Sequence, residues 1–216
     1  MHVLTANASL LAQAFATTLL LSLAGGVLAA AVGLLVGVAR MSPVPFLQRV
    51  GAAYVEVIRN TPLTVVFFLI VFVLPQLGLT IPSYTVAAII ALGFYTAAFV
   101  SEAVRAGVNT VGRGQAEAAR ALGMSFLENM RFIIIPQALR SVVPPLANVW
   151  TALVKNTSIA AGFGVLELTA AGQRINFLEP AAVVQALLWI AAAYLVITLG
   201  SAAGFRRLEH RLAVPR

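Results

Sequence analysis

Long apolar runs alternate with short polar segments along this chain. The first run, Ala14–Ala39, has no charged residue and is long enough to cross a hydrocarbon core of about 30 Å as an α-helix. A cleaved leader peptide is the alternative, but it needs a basic segment before the apolar core, which "MHVLTANASL" lacks. We therefore expect a first membrane span here. The GxxxG spacing of Gly33 and Gly37 predicts close helix packing.

The remaining apolar runs predict four more spans. Asn60–Ser101 is uncharged and too long for one crossing, and Pro75–Ser83, with two prolines and a glycine, interrupts it. One span is therefore expected before this break and one after it. Two further spans are expected at about Val142–Leu166 and Ala181–Phe205. The expected fold is all-α and integral to a membrane, with five transmembrane helices.

The distribution of basic residues predicts the orientation. Five spans place most of them on one side: Arg40, Arg49, Arg59, Arg105, Arg113, Arg120, Arg131, Arg140, Arg206, Arg207, Arg211 and Arg216. The segments on the opposite side hold only Arg174. Because Lys and Arg are retained in the cytoplasm, the N-terminus is expected outside and the C-terminus inside. The net charge of +7 is thereby explained without a nucleic-acid partner.

Composition excludes several kinds of chemistry. Charged residues make up 10% of the chain and mean hydropathy is +0.97, values typical of a membrane protein. There is no cysteine and no aspartate, and the two histidines are His2 and His210. We therefore expect no catalytic residue and no metal site, and an intramembrane hydrolase is disfavoured. No phosphate-binding loop occurs, so the chain is not expected to bind ATP or any cofactor itself.

The segment Glu117–Pro136 is a charged, helix-forming insert between spans. Gly123 is placed to end a first short helix in a left-handed conformation. Ser125 and Glu128 have the spacing of a capping box, which predicts the start of a second helix. We expect Pro136 to end that helix. Its apolar stripe is formed by Phe126, Met130, Ile133 and Ile134.

Two interpretations of this insert remain open on physical grounds alone. The first helix presents small residues, Ala116 and Ala119, beside Glu117 and Arg120, and small side chains let the backbone of another protein come close. The insert would then be a docking element. Alternatively, it is an amphipathic loop that lies on the membrane surface.

The insert resembles the EAA loop of binding-protein-dependent ABC importer permeases. The matching positions are Glu117-Ala118-Ala119, Gly123, Ile133 and Ile135-Pro136, with Ile135 in place of a leucine. The resemblance implies an ATPase-coupling site, formed by Glu117, Ala118, Ala119, Arg120, Gly123, Ser125 and Pro136. It also implies one permease domain, 1–216, with a cytoplasmic coupling loop at 109–140.

Three further stretches, Tyr54–Pro75, Tyr95–Gly123 and Leu153–Ala161, resemble the polar amino acid permeases. Asn156 stands where that family often has aspartate, and Asn60 where it often has glycine. The resemblance implies import of glutamate, glutamine or a basic amino acid. It also implies a second permease subunit, two ATPase subunits that bind the ATP, and an extracytoplasmic amino acid-binding protein.

A polar stripe in the fourth expected span marks a candidate substrate pathway. Its members are Asn148, Thr151, Lys155 and Ser158, whose spacing of i, i+3, i+7 and i+10 predicts one narrow helix face. Such a stripe must face protein or water. We expect Lys155 to face the translocation cavity, either to attract a substrate carboxylate or to pair with an acidic residue of the partner permease.

Other charged residues allow structural and functional interpretations. Glu56 with Arg59, and Glu102 with Arg105, are spaced i, i+3, so each pair can meet on one helix face, for charge neutralisation or as a transport gate. An external segment holds Glu167, Arg174 and Glu179, which would contact either a receptor or solvent. An ion-coupled secondary transporter is the alternative class. The lack of aspartate and of membrane-embedded histidine argues against proton coupling, and no convincing internal repeat is present.

Overall fold

The structure is a computed structural model that describes residues 5–212, so His2 and Arg216 lie outside the described part. Within that part the chain is helical and contains no β-strand. Among the described residues, four helices are long and apolar enough to cross a membrane, and a bent pair of shorter helices adds a fifth candidate. The predicted all-α integral membrane fold is confirmed, and the five predicted spans correspond to these four helices and the bent pair.

The helices in chain order are α1 (Ala8–Met41), α2 (Pro45–Arg59), α3 (Leu63–Phe68), α4 (Leu74–Gln76), α5 (Tyr84–Asn109), α6 (Arg113–Ala121), α7 (Phe126–Asn129), α8 (Ile135–Asn156), α9 (Leu168–Leu178) and α10 (Val183–Leu212). Two π-helical turns, Leu69–Val73 and Met130–Ile134, join α3 to α4 and α7 to α8. Two 3-10 segments, Thr157–Phe163 and Pro180–Ala182, follow α8 and α9.

Helix α5 lies at the centre, and its most extensive contact is with α1. Small residues allow the two backbones to approach closely. A Cβ atom added to Gly33 would lie 2.6 Å from Cβ of Val100 and 2.7 Å from the carbonyl oxygen of Ala97. Gly37 of α1 likewise packs against Val104 of α5. The packing role predicted for the GxxxG pair is therefore confirmed.

The second crossing is shorter than the sequence suggested, and a helix that was not predicted precedes it. Residues 63–76 form α3, a π-helical turn and α4, which together rise about 21 Å at 1.5 Å per residue. They follow α2 after a bend of 105°. Pro62 causes the break because it disfavours helical geometry in Thr61 and provides no N–H. The side chains of Asn60 and Thr61 donate to the last carbonyls of α2.

The prediction that Pro136 ends a helix is wrong. Phe126–Phe163 runs as one helical segment through this proline. The π-helical turn Met130–Ile134 precedes it, and Leu69–Val73 likewise precedes Pro75. A proline ring normally clashes with the carbonyl four residues earlier, and a wider π-helical turn relieves that clash. The side chain of Gln137 also donates to the carbonyl of Ile133 at 2.9 Å.

The fourth span changes its helical geometry near its far end. α8 ends at Asn156, and residues Thr157–Phe163 wind more tightly, as a 3-10 helix. A 3-10 helix has three residues per turn instead of 3.6, so each residue of this segment turns about 20° further than in an α-helix. Ser158 is only the second residue of this segment, so the change is too small to move it off the face of Asn148, Thr151 and Lys155, and the polar stripe stays a prediction.

Candidate coupling loop and transport cavities

The loop between α5 and α8 contains a rigid turn at Gly123, which has a φ of +81°. Its N–H donates to the carbonyl of Arg120 at 2.9 Å, and the next N–H, of Met124, donates to Ala119 at 3.1 Å. This pair of bonds is the Schellman arrangement that satisfies the last carbonyls of a helix. The predicted left-handed glycine is thus confirmed.

The capping box that begins the next helix is also present. The Ser125 hydroxyl accepts from the Glu128 N–H at 3.3 Å, and the Ser125 N–H donates to Oε2 of Glu128 at 2.8 Å. Each residue satisfies a backbone N–H that the helix start would otherwise leave unpaired. The turn and the capping box therefore fix how α6 and α7 are joined.

Packing between α6 and α7 determines which residues of the loop are exposed. The Asn129 amide is buried and donates to the carbonyl of Ala116 at 3.2 Å. Ala119 is only 3% exposed, so the prediction that it is presented on the surface is wrong: it lies within the packing of the chain itself. Glu117, Ala118 and Arg120 are exposed.

The tip of the loop is an exposed apolar cluster. Its members are Leu122, Phe126 and Leu127, which are 83%, 80% and 74% exposed. Met130, which the predicted stripe grouped with Phe126, is only partly exposed. Contiguous apolar side chains at this level of exposure mark a surface that another molecule covers.

A first cavity, of about 340 Å³, opens between α5 and α8. Its lining residues are Tyr95, Thr96, Phe99, Asn148, Val149, Ala152, Leu153 and Asn156. None of these is charged, and the two asparagine amides can donate and accept hydrogen bonds. We call it the amide cavity.

Only one residue of the predicted polar stripe, Asn148, lines the amide cavity. Lys155 is exposed and lies outside its lining. The hydroxyls of Thr151 and Ser158 donate to backbone carbonyls, of Ala147 and Lys155 respectively. Asn156, which the stripe missed, lies eight residues after Asn148 and thus on a nearby helix face. Asn156 is visible in the sequence as a polar residue of this span. Spacing alone could not decide whether the helix face of Asn156 or that of Lys155 lines the cavity.

A second polar centre, which the sequence did not reveal as a unit, surrounds Glu102 on α5. Arg40 of α1 donates to Oε2 at 2.7 Å, Arg59 of α2 lies 3.8 Å from the same oxygen, and Arg105 binds Oε1. The predicted Glu102–Arg105 pair is confirmed. The prediction that Glu56 pairs with Arg59 is wrong. Arg59 lies near Glu102 instead, and Glu56 forms no ion pair in the described residues.

Next to Glu102 lies a cavity of about 490 Å³, the charged cavity. Its lining residues are Arg40, Ala52, Val55, Glu56, Arg59, Asn60, Phe99 and Glu102. It combines two guanidinium groups with two carboxylates, and α2 provides half of its lining residues.

The segment that was predicted to be external contains a buried polar network. Glu167 is fully buried and caps α9, accepting from the Ala170 N–H at 2.8 Å. The Tyr194 hydroxyl donates to its Oε2 at 2.6 Å. The prediction that Glu167 contacts a receptor or solvent is therefore wrong, because its side chain is buried. Arg174 is exposed, and Glu179 accepts from the amide of Asn7 at 3.3 Å.

Comparison with known proteins gives the class to which this architecture belongs. Residues 29–214 match the family of the binding-protein-dependent transport system inner membrane component. The chain is 38% identical over 206 residues to the probable glutamine ABC transporter permease protein GlnM of Bacillus subtilis, covering 95% of this chain and 94% of that protein. It is 39% identical over 202 residues to the glutamine transport system permease protein GlnP of Escherichia coli, covering 90% and 87%.

Solved structures agree with the sequence comparisons. The fold resembles that of an amino acid ABC transporter crystallised with histidines, with a TM-score of 0.88, 33% identity and 96% of each chain covered. The chain therefore belongs to the family of inner membrane permease components of binding-protein-dependent ABC transport systems. It is a membrane permease subunit and not an enzyme, and in such systems a separate subunit hydrolyses ATP.

Proposed function

We propose that this chain is the permease subunit of an ATP-driven importer of a polar amino acid, coupled to its ATPase through the loop 109–140. The observation that carries the coupling is the exposed apolar cluster Leu122, Phe126 and Leu127 on a rigid turn. The relatives named above, glutamine permeases, support the substrate class.

The loop has the two properties that a force-transmitting contact requires. Its shape is fixed locally, by the glycine turn and by the capping box. Its far end is continuous with the fourth span, because the helix passes through Pro136 without stopping. A push on the apolar cluster would therefore reach the membrane span. Glu117, Ala118 and Arg120 are exposed beside the cluster and complete the proposed ATPase contact.

A double variant tests this contact. Leu122→Ala with Phe126→Ala removes most of the apolar surface and leaves the turn and the capping box in place. Because a few buried apolar side chains carry most of the energy of an interface, we expect at least a tenfold loss of co-purified ATPase, of the order that such anchors provide. The matched control is Phe177→Ala on α9, which removes a side chain that is 85% exposed elsewhere. Equal ATPase recovery in both variants would refute the proposed contact.

The partners follow from the same proposal. Two permease subunits, two ATPase subunits and an extracytoplasmic amino acid-binding protein would form the transporter, and ATP would bind only to the ATPase subunits. The second permease subunit is a copy of this chain or a paralogue.

We further propose that the amide cavity is part of the substrate pathway. Its lining offers two amides and two aromatic rings but no charge, which suits an uncharged polar side chain such as that of glutamine. Asn148→Leu and Asn156→Leu replace each amide by an apolar group of similar volume. Each should raise the apparent KM for uptake by about tenfold, the effect of one lost hydrogen bond to a polar group. Unchanged uptake in both variants would exclude the cavity from the pathway.

Lys155 remains a proposed pathway residue with two possible roles. It is exposed in the isolated chain, so a substrate or an acidic residue of the second permease subunit can reach it. Lys155→Met keeps the length of the side chain and removes the charge. A raised KM with an intact permease pair favours the role in substrate binding, and loss of the pair favours the ion pair. Normal uptake and assembly would exclude both roles.

A further inference from the structure

The amide cavity and the charged cavity share one lining residue, Phe99. On α5, the amide cavity uses Tyr95 and Thr96, before Phe99, and the charged cavity uses Glu102, after it. Because a helix rises 1.5 Å per residue, these positions follow one another along the helix axis. The two cavities therefore lie in sequence along α5, and the Phe99 side chain stands between them.

Two neighbours hold the Phe99 ring. The Tyr95 ring lies 5.2 Å away, centroid to centroid, at an interplanar angle of 47°. The guanidinium carbon of Arg59 lies 5.6 Å from the Phe99 centroid, in the position of a cation over an aromatic face. Arg59 also lines the charged cavity, so this contact covers the ring from that side.

Arg59 is the guanidinium least firmly bound to Glu102. Arg40 occupies Oε2 at 2.7 Å, whereas Arg59 lies 3.8 Å from that oxygen, beyond hydrogen-bond distance. Its side chain is 44% exposed, against 14% for Arg40. Arg59 can therefore move without breaking a hydrogen bond to Glu102.

The position of Arg59 in the fold connects it to a bend. It is the last residue of α2, and the chain turns through 105° directly after it, into the second crossing. A change in that bend would move Arg59 relative to Phe99 on α5.

We propose that Phe99, covered by Arg59, is a gate between the amide cavity and the charged cavity. The ring closes the passage, and displacement of Arg59 with the bend between α2 and α3 frees it to rotate. Phe99 is the barrier and Arg59 is the residue that positions it. The transport role of this gate rests on the proposed substrate pathway.

Thiol accessibility tests the barrier without relying on transport. The chain has no cysteine, so Ala152→Cys places a single thiol in the amide cavity. The assembled transporter in inverted membrane vesicles is treated with a membrane-impermeant maleimide, which reaches the side predicted to be cytoplasmic. Phe99→Ala should raise the labelling rate of this thiol at least tenfold. Phe94→Ala, on the same helix but in the lining of neither cavity, should leave it within twofold.

Two further variants guard against misfolding and test Arg59. Phe99→Trp, with a larger ring, should lower the labelling rate, a direction that loss of structure would not produce. Arg59→Gln should raise it about threefold or more, and Arg59→Lys, which keeps a cation over the ring, should restore it in part. Arg49→Gln on α2, in the lining of neither cavity, is the control. The gate is overturned if Ala152→Cys is labelled at the same rate with and without Phe99→Ala. It is also overturned if neither of these two proteins is labelled.

A flux measurement separates the gate from the pathway. In proteoliposomes without ATP, Phe99→Ala should allow downhill leakage of radiolabelled glutamine, which the unaltered transporter prevents. Raised thiol labelling with no leak of glutamine would support Phe99 as the barrier between the two cavities. It would refute the proposal that the amide cavity is part of the substrate pathway. A leak in Phe94→Ala equal to that in Phe99→Ala would overturn the assignment of the barrier to Phe99.

Discussion

The coupling loop and the Glu167 network achieve order in opposite ways. In the loop, the ordering bonds at Gly123 and Ser125 connect residues three to five positions apart, and the apolar side chains point outward. In the network, Glu167 contacts Tyr194, 27 residues away, and the adjacent Leu168 N–H donates to Thr18, 150 residues away. The loop is a locally determined surface, whereas the network is a buried junction of distant segments.

This difference indicates different consequences of mutation. A change in the loop should alter binding while the membrane spans stay folded, because its bonds are short in range and its surface is exposed. A change at Glu167 should alter the stability of the membrane domain, because it leaves buried polar groups without partners.

The largest expected effect concerns the side of the membrane on which a residue lies. The loop is predicted to be cytoplasmic and the break near Gly78 extracytoplasmic. In the cysteine-free chain, Gly78→Cys should react in intact cells with a membrane-impermeant thiol reagent, and Gly114→Cys should not. A Cβ at either glycine meets no atom within 4 Å, so neither substitution disturbs packing. Gly78 has a φ of +82°, so its replacement adds a local backbone cost of about 1–2 kcal/mol in an exposed turn. Reaction at Gly114→Cys alone would invert the orientation.

The next largest effect is expected at Glu167. Glu167→Ala removes the cap of α9 and the acceptor of the Tyr194 hydroxyl, so it should lower the free energy of unfolding by about 2–4 kcal/mol. Thermal unfolding in detergent measures this change. Glu56→Ala, at an exposed glutamate, should alter stability by less than about 0.5 kcal/mol. Equal loss in both variants would contradict the contrast drawn above.

A smaller effect is expected at Gly123. Gly123→Ala forces a side chain into a left-handed conformation, which costs about 1–2 kcal/mol, although no atom blocks the added Cβ. The loop should lose ATPase binding while thermal unfolding of the spans changes little. Gly114→Ala lies within helix α6, where alanine is favoured, and should bind ATPase at least as well as the unaltered chain. Full ATPase recovery with Gly123→Ala would show that the turn does not determine docking.

The smallest effect is expected at the capping box. Ser125→Ala removes the hydroxyl acceptor and should destabilise the start of α7 by about 1 kcal/mol. Hydrogen exchange of the Glu128 amide, relative to the same amide in the unaltered chain, measures this opening. Ser83→Ala, which removes a single cap bond to Val86 at the start of α5, should leave the Glu128 amide unchanged. Faster exchange at Glu128 in both variants would indicate a global effect.

The sequence by itself determined the features that depend on neighbours along the chain. Apolar runs located the membrane spans, because lipid requires every backbone group to be paired within a helix. The glycine turn at Gly123 and the capping box at Ser125 could be predicted because each involves residues within one or two helical turns. The same local pattern failed at Pro136, because a π-helical turn accommodates the proline in a longer helix.

Only the tertiary structure decided which polar side chains meet. Arg40 and Glu102 are 62 positions apart, and no spacing rule pairs them or separates Arg59 from Glu56. The same holds for the choice of Asn156 over Lys155 at the amide cavity, because a rotation of one helix relative to its neighbour selects the buried face. Local sequence specifies the helix boundaries at Gly123 and Ser125, whereas packing between helices specifies which faces line a cavity.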